Sequence, residues 1–214
     1  MKDEQDSFGR SHQLSRQQID DAVSPHELTA VLSAAGVKYV LIGGHILGYF
    51  TGSPRATVDV DVVVSNAQAV KASRAIQSSF PNLACEDLSN NIRFSSRSPS
   101  GGFDPERIDV VRAREALFQT ILLKHSVPIH SRGQVIHIPS AEAAVALKFA
   151  AVISPNRGED SRLQDRSDLA ALIRHRTDLK TEVLLELGDL IYSGGGRELV
   201  DLVQAIREGK RVAL

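Results

Sequence analysis

Two aspartates one residue apart, Asp59 and Asp61, lie in a run of strand formers, VDVDVVV at residues 58–64. Side chains two apart on a strand share a face. The two carboxylates therefore point one way, and Val58, Val60 and Val62 point the other, toward the core. Like charges at this spacing repel, and burial penalises both ionised forms. A divalent cation relieves that cost, because hard oxygen ligands suit magnesium. An exposed edge strand with its polar face in water explains Asp-x-Asp alone equally well. Asp109, within RIDVV at 107–111, is the carboxylate inside a third predicted strand and the candidate third member of the set.

The elements that position these carboxylates begin upstream. An apolar run at 37–42 breaks at Gly43-Gly44, and a short helical piece follows at 45–50. Glycine tolerates positive φ and lets a ligand approach the backbone. A helix start offers unpaired N–H donors and partial positive charge, which suit phosphate. One half of the stretch fits phosphate and the other fits a metal, so together they read as a metal–nucleotide site. His45, next to the glycines, is assigned a structural role.

The pattern Gly43-Gly44, then Arg55-x-Thr57-x-Asp59-x-Asp61, resembles the signature of the nucleotidyltransferase superfamily. It is most similar to the small bacterial branch of AbiEii-type and minimal (MNT-type) proteins. The resemblance is close over residues 37–64 and looser through Leu172. It implies a mixed α/β fold, a nucleotidyltransferase-like sheet flanked by helices with a helical C-terminal region. It also implies that Gly43 and Gly44 hold the triphosphate. Asp59, Asp61 and Asp109 would be catalytic and would hold two magnesium ions, or manganese in their place. Arg55, Thr57 and Lys148 join the nucleotide-binding set, with Thr57 shaping the loop and Lys148 aimed at the phosphates or snorkelling to water. The implied reaction moves a nucleoside monophosphate from a nucleoside triphosphate, such as ATP, to an acceptor hydroxyl, and pyrophosphate leaves. Acceptors in the superfamily include proteins, tRNA ends and small molecules. The branch includes toxins of toxin–antitoxin pairs, which implies an antitoxin partner protein.

Two other readings stay open. Gly44 stands where many members carry serine, and the spacer to Asp59 is longer, so the domain could bind a nucleotide or a partner without transfer. Asp-x-Asp also serves sugar-nucleotide metal sites in glycosyltransferases, although the glycine turn would then go unused.

Composition narrows the classes. The chain has 214 residues, 25 basic and 26 acidic, for a net charge of −1. That balance argues against a broad nucleic-acid footprint, though not a local one. One cysteine, Cys85, cannot form an internal disulfide and fits a reducing compartment. The sequence has no apolar run of about 18–20 residues and no apolar signal core, so the expectation is a cytoplasmic protein without membrane contact.

Pattern and punctuation divide the chain into a polar extension at 1–23, a nucleotidyltransferase-like core at 24–139 and a helical region at 140–214. Helices are predicted at 24–35, 66–79, 113–124, 141–153, from near Arg162, and at 179–192 and 196–208. The first shows a capping box, Ser24 with Glu27, and a proline at its first position. Asn66 is the expected cap of the second. Short strands are predicted at 84–87, 92–95, 127–130 and 135–138, with loops at 95–103 and 154–161. Asp165 is placed to pair with Lys148, and Asp168 is placed on a solvated helix face.

Overall fold

Ser24 starts the first helix as its side chain predicts. Its hydroxyl accepts the His26 N–H at 3.2 Å, and Glu27 reaches back to the Ser24 N–H at 3.3 Å. The structure, a computed structural model, describes residues 23–53, 57, 59–96 and 106–210, and the Glu106 side chain is outside that set. Arg55, the polar extension apart from Val23, and most of the 95–103 loop also lie outside the described residues. The chain divides into two compact units, Met1–Tyr49 with Ser53–Ile138, and Phe50–Gly52 with Pro139–Leu214.

In the first unit, helix α1 (Pro25–Ala34) leads into strand β1 (Tyr39–Ile42), a 3₁₀ turn (Gly44–Ile46) and short helix α2 (Leu47–Thr51). Strand β2 (Val60–Ser65) and helix α3 (Ala69–Ser79) follow, then β3 (Leu83–Asp87), β4 (Asn91–Ser96) and β5 (Glu106–Ala113). Helix α4 (Ala116–Lys124) and the hairpin β6 (Ser126–Ser131) and β7 (Gln134–Pro139) complete it. The main sheet runs β1-β2-β5-β4-β3. Strand β2 is antiparallel to β1 and parallel to β5, and β3, β4 and β5 form an antiparallel meander.

Strand β2 is therefore interior, and the exposed-edge explanation does not hold for its aspartate, Asp61. One face of the sheet carries Leu41, Val60, Val62, Val64, Ile92, Phe94, Ile108 and Val110, each at most 1% exposed. Burying a side chain of this size stabilises the fold by about 1.5–3 kcal/mol. This alternation in β2 and β5 aims Asp61 and Asp109 at the other face. Helices α3 and α4 both pack against β2 and β5.

In the second unit, α5 (Ala141–Ile153), α6 (Glu159–His175), α7 (Thr181–Asp189) and α8 (Gly195–Arg207) pack together. Ser140 caps α5 by accepting the Ala143 N–H at 3.2 Å. Helices α7 and α8 touch backbone to backbone. A Cβ on Gly196 would stand 2.2 Å from the Leu185 carbonyl oxygen. Arg176 lies over the Phe50 ring, 5.6 Å from its centroid.

Three local expectations are corrected. Strand β2 begins at Val60, so Asp59 stands just ahead of it. Asn66 opens a 3₁₀ turn, and the α-helix begins at Ala69. Helix α6 begins at Glu159, ahead of Arg162. Glu159 and Asp160 in its first turn favour that earlier start, because acidic side chains complement the helix dipole there. Among the described residues no helix is long and apolar enough to cross a membrane.

Candidate active site

The polar face of the sheet is organised by register. Asp61 on β2 stands directly opposite Asp109 on the parallel strand β5. Neighbouring strands lie about 4.8 Å apart, so the two half-buried carboxylates are adjacent. On the other side of β2, Asp61 is opposite Ile42, the residue before the glycine turn.

Gly43 brings the two halves of the motif into contact. Its φ is 79° and its ψ is −150°, a region that L side chains avoid. A Cβ at this position would stand 2.1 Å from Asp61 Oδ2. The Asp61 carboxylate thus lies against the bare backbone of Gly43. Gly44 is buried and opens the 3₁₀ turn, and no side chain caps that start.

Asp59 and Asp109 each accept a hydrogen bond from a neutral side chain. Thr57 Oγ1 donates to Asp59 Oδ1 at 2.5 Å. Asn91, at the start of β4, donates from Nδ2 to Asp109 Oδ1 at 2.5 Å. Arg93 is opposite Asp109 on β4, and Glu86 is opposite Arg93 on β3. The row Asp61, Asp109, Arg93, Glu86 therefore crosses four strands on one face. Arg107, on the same face of β5 and 3% exposed, donates from Nε to Ser96 Oγ at 2.7 Å.

Sequence reasoning missed Asn91, Arg93 and Arg107. The buried pair Ile92 and Phe94 did signal that Asn91 and Arg93 share the opposite face. Only the strand pairing puts them beside Asp109.

Gly43, Gly44, Thr57, Asp59, Asp61 and Asp109 all belong to the first unit, with Asp61 beside Gly43 and opposite Asp109, and Thr57 bonded to Asp59. Lys148 belongs to the second unit. Its Nζ donates to Asp165 Oδ1 at 2.8 Å and to Asp168 Oδ2 at 2.7 Å. Arg157 Nε donates to the second Asp165 oxygen at 2.7 Å, and Gln164 donates to Asp168 at 2.9 Å. Asp168 is 5% exposed, which corrects the expected solvated face. The lysine draws it inward, because a buried carboxylate is tolerated when paired. Burial pushes the Asp165 carboxyl up, but hydrogen bonds and charge from Lys148 and Arg157 outweigh it and hold the group below the usual carboxylate range.

Asp59, Asp61 and Asp109 offer the hard oxygen donors that magnesium takes. At Gly43 the space that a Cβ would take is filled by the Asp61 carboxylate itself. As placed, no group of three acidic, histidine or cysteine side chains among the described residues stands close enough to hold an ion.

The family model "Nucleotidyl transferase AbiEii toxin, Type IV TA system" matches residues 28–205. The JHP933 protein of Helicobacter pylori is similar in structure, with TM-score 0.51 and 14% identity over 92% of this chain and 94% of that one. An antigenic nucleotidyltransferase-like protein of Paracoccidioides brasiliensis has TM-score 0.49 and 18% identity over 88% and 95% of the two chains. No curated protein matches the sequence significantly.

Proposed function

We propose, from the premise that this chain belongs to the nucleotidyl transferase AbiEii toxin family, that its polar sheet face moves a nucleoside monophosphate from a triphosphate to an acceptor hydroxyl. The observation that carries this reading is the register of Asp61 opposite Asp109, with the Asp61 carboxylate against the bare backbone of Gly43. The acceptor oxygen forms a bond to the α-phosphorus, the bond to the β-phosphate oxygen breaks, and pyrophosphate departs. Asp109 takes the hydroxyl proton. The bare backbone at Gly43 and Gly44 admits the triphosphate, and Arg55 offsets charge growing on the transferring group. Magnesium or manganese would be held by Asp59, Asp61 and Asp109 and would polarise the phosphoryl oxygens. The acceptor is a protein, an RNA end or a small molecule, and the family description supports an antitoxin partner.

Incubation with α-labelled nucleoside triphosphates, magnesium and cell extract tests this. Label should pass to one class of molecule, and γ-label should not. Asp59→Asn should abolish the magnesium-dependent part of nucleotide binding in a folded chain. Asp109→Ala should lower the catalytic rate by two or more orders of magnitude, roughly 3 kcal/mol in the barrier, with nucleotide affinity nearly kept. Calorimetric nucleotide binding without any transfer of label would replace this reading with a binding protein of the same fold.

A further inference from the structure

We propose that Asn91 is a positioning residue for Asp109: its side-chain amide holds one carboxylate oxygen and so fixes the rotation in which Asp109 meets a cation or an acceptor proton. This rests on the transfer reading of the same face.

The geometry is local and specific. Asn91 pairs with Val111 across the β4–β5 ladder, two residues from the Arg93–Asp109 pair. Strand alternation puts Asn91, Arg93, Asp109 and Val111 on one face. From there the amide reaches Asp109 Oδ1 at 2.5 Å. A carboxylate is free to turn about its terminal bond, and the sheet alone does not set that angle. The amide restrains it through a donated hydrogen bond and carries no charge of its own.

Neutrality is the useful property. The amide itself adds no positive charge that would compete with an incoming metal. Thr57 treats Asp59 in the same way, through a hydroxyl on Oδ1. Two of the three carboxylates thus each accept a hydrogen bond from a neutral side chain. Partners that orient metal-binding carboxylates typically matter tenfold to hundredfold in metal affinity.

The test uses the full chain, Mn²⁺ as probe and a triphosphate analogue that cannot be cleaved. Mn²⁺ affinity is read by electron paramagnetic resonance. Asn91→Leu keeps the side-chain volume and removes the donor, while Asn91→His keeps an N–H the same number of bonds from the backbone. Asn91→Leu should weaken Mn²⁺ binding by roughly tenfold to hundredfold at unchanged Tm, and Asn91→His should restore most of it. Native Mn²⁺ affinity in Asn91→Leu, or equal weakening in both variants, overturns the proposal and leaves the transfer reading standing. If the native chain with nucleotide binds no Mn²⁺, the transfer reading itself falls and takes the proposal with it. A metal-free check is the side-chain amide resonance of Asn91, which should move on Asp109→Ala. A resonance that stays put removes the contact.

Discussion

Gly43→Ala is expected to destabilise the first unit by roughly 2–6 kcal/mol and to silence nucleotide binding. Two costs combine. Backbone strain at φ 79° and ψ −150° is of the order of 1–3 kcal/mol for a residue with a Cβ, and overpacking adds a similar amount. The new methyl would also stand 2.1 Å from Asp61 Oδ2, so the carboxylate must turn away. Gly52→Ala is the control. Gly52 also has positive φ, 69°, but a Cβ there meets nothing within 4 Å. It should show the strain alone, roughly 1–3 kcal/mol. Urea midpoints of the two variants, beside calorimetric titration with magnesium and nucleotide, measure the difference. Equal midpoints with intact binding in both would sever Gly43 from the site.

The second large effect lies in the other unit. Lys148→Met should destabilise it by about 3–5 kcal/mol, the usual cost of removing one partner from a buried ion pair. Lys148, Asp165 and Asp168 are only 12%, 2% and 5% exposed. Arg157 still holds Asp165, which favours the lower end of that range. Adding Asp165→Asn should recover part of the loss, and the double-mutant cycle isolates the pairing. The same network sets an acid limit. The folded Asp165 pKa lies below its ordinary 3.8, so its contribution is present above that value and is lost as pH falls through the folded pKa. Lys148→Met should flatten this part of the acid-unfolding profile. Unchanged nucleotide affinity in that variant would confine Lys148 to a structural role.

Which features were legible in the sequence follows from their range. The capping box at Ser24, the glycine turn and the strand alternation around Asp61 and Asp109 are local, and all appear where periodicity and turn chemistry put them. The fold class was legible because those local signals sat in the order that the family uses. Asn91 and Arg93 were not, because strand register over long separations leaves no trace in spacing. Asp168 was misjudged for a related reason. It shares the buried face of its helix with Leu169 and Leu172, and the lysine on a neighbouring helix makes an inward carboxylate tolerable there.

The parallel pairing of β2 with β5 governs when the site can exist. Antiparallel neighbours are joined by a tight hairpin and can form early, whereas parallel neighbours need a crossover connection. Here that crossover contains α3, β3 and β4. Closing such a long-range contact carries its entropy cost before any reward, so it comes late in folding. A ribosome that has released Asp59 and Asp61 has not yet synthesised Asp109. The meander can fold, and β1 can meet β2, with the acidic set still incomplete. The row of Asp61 and Asp109 is therefore completed only when two halves of one sheet finally dock.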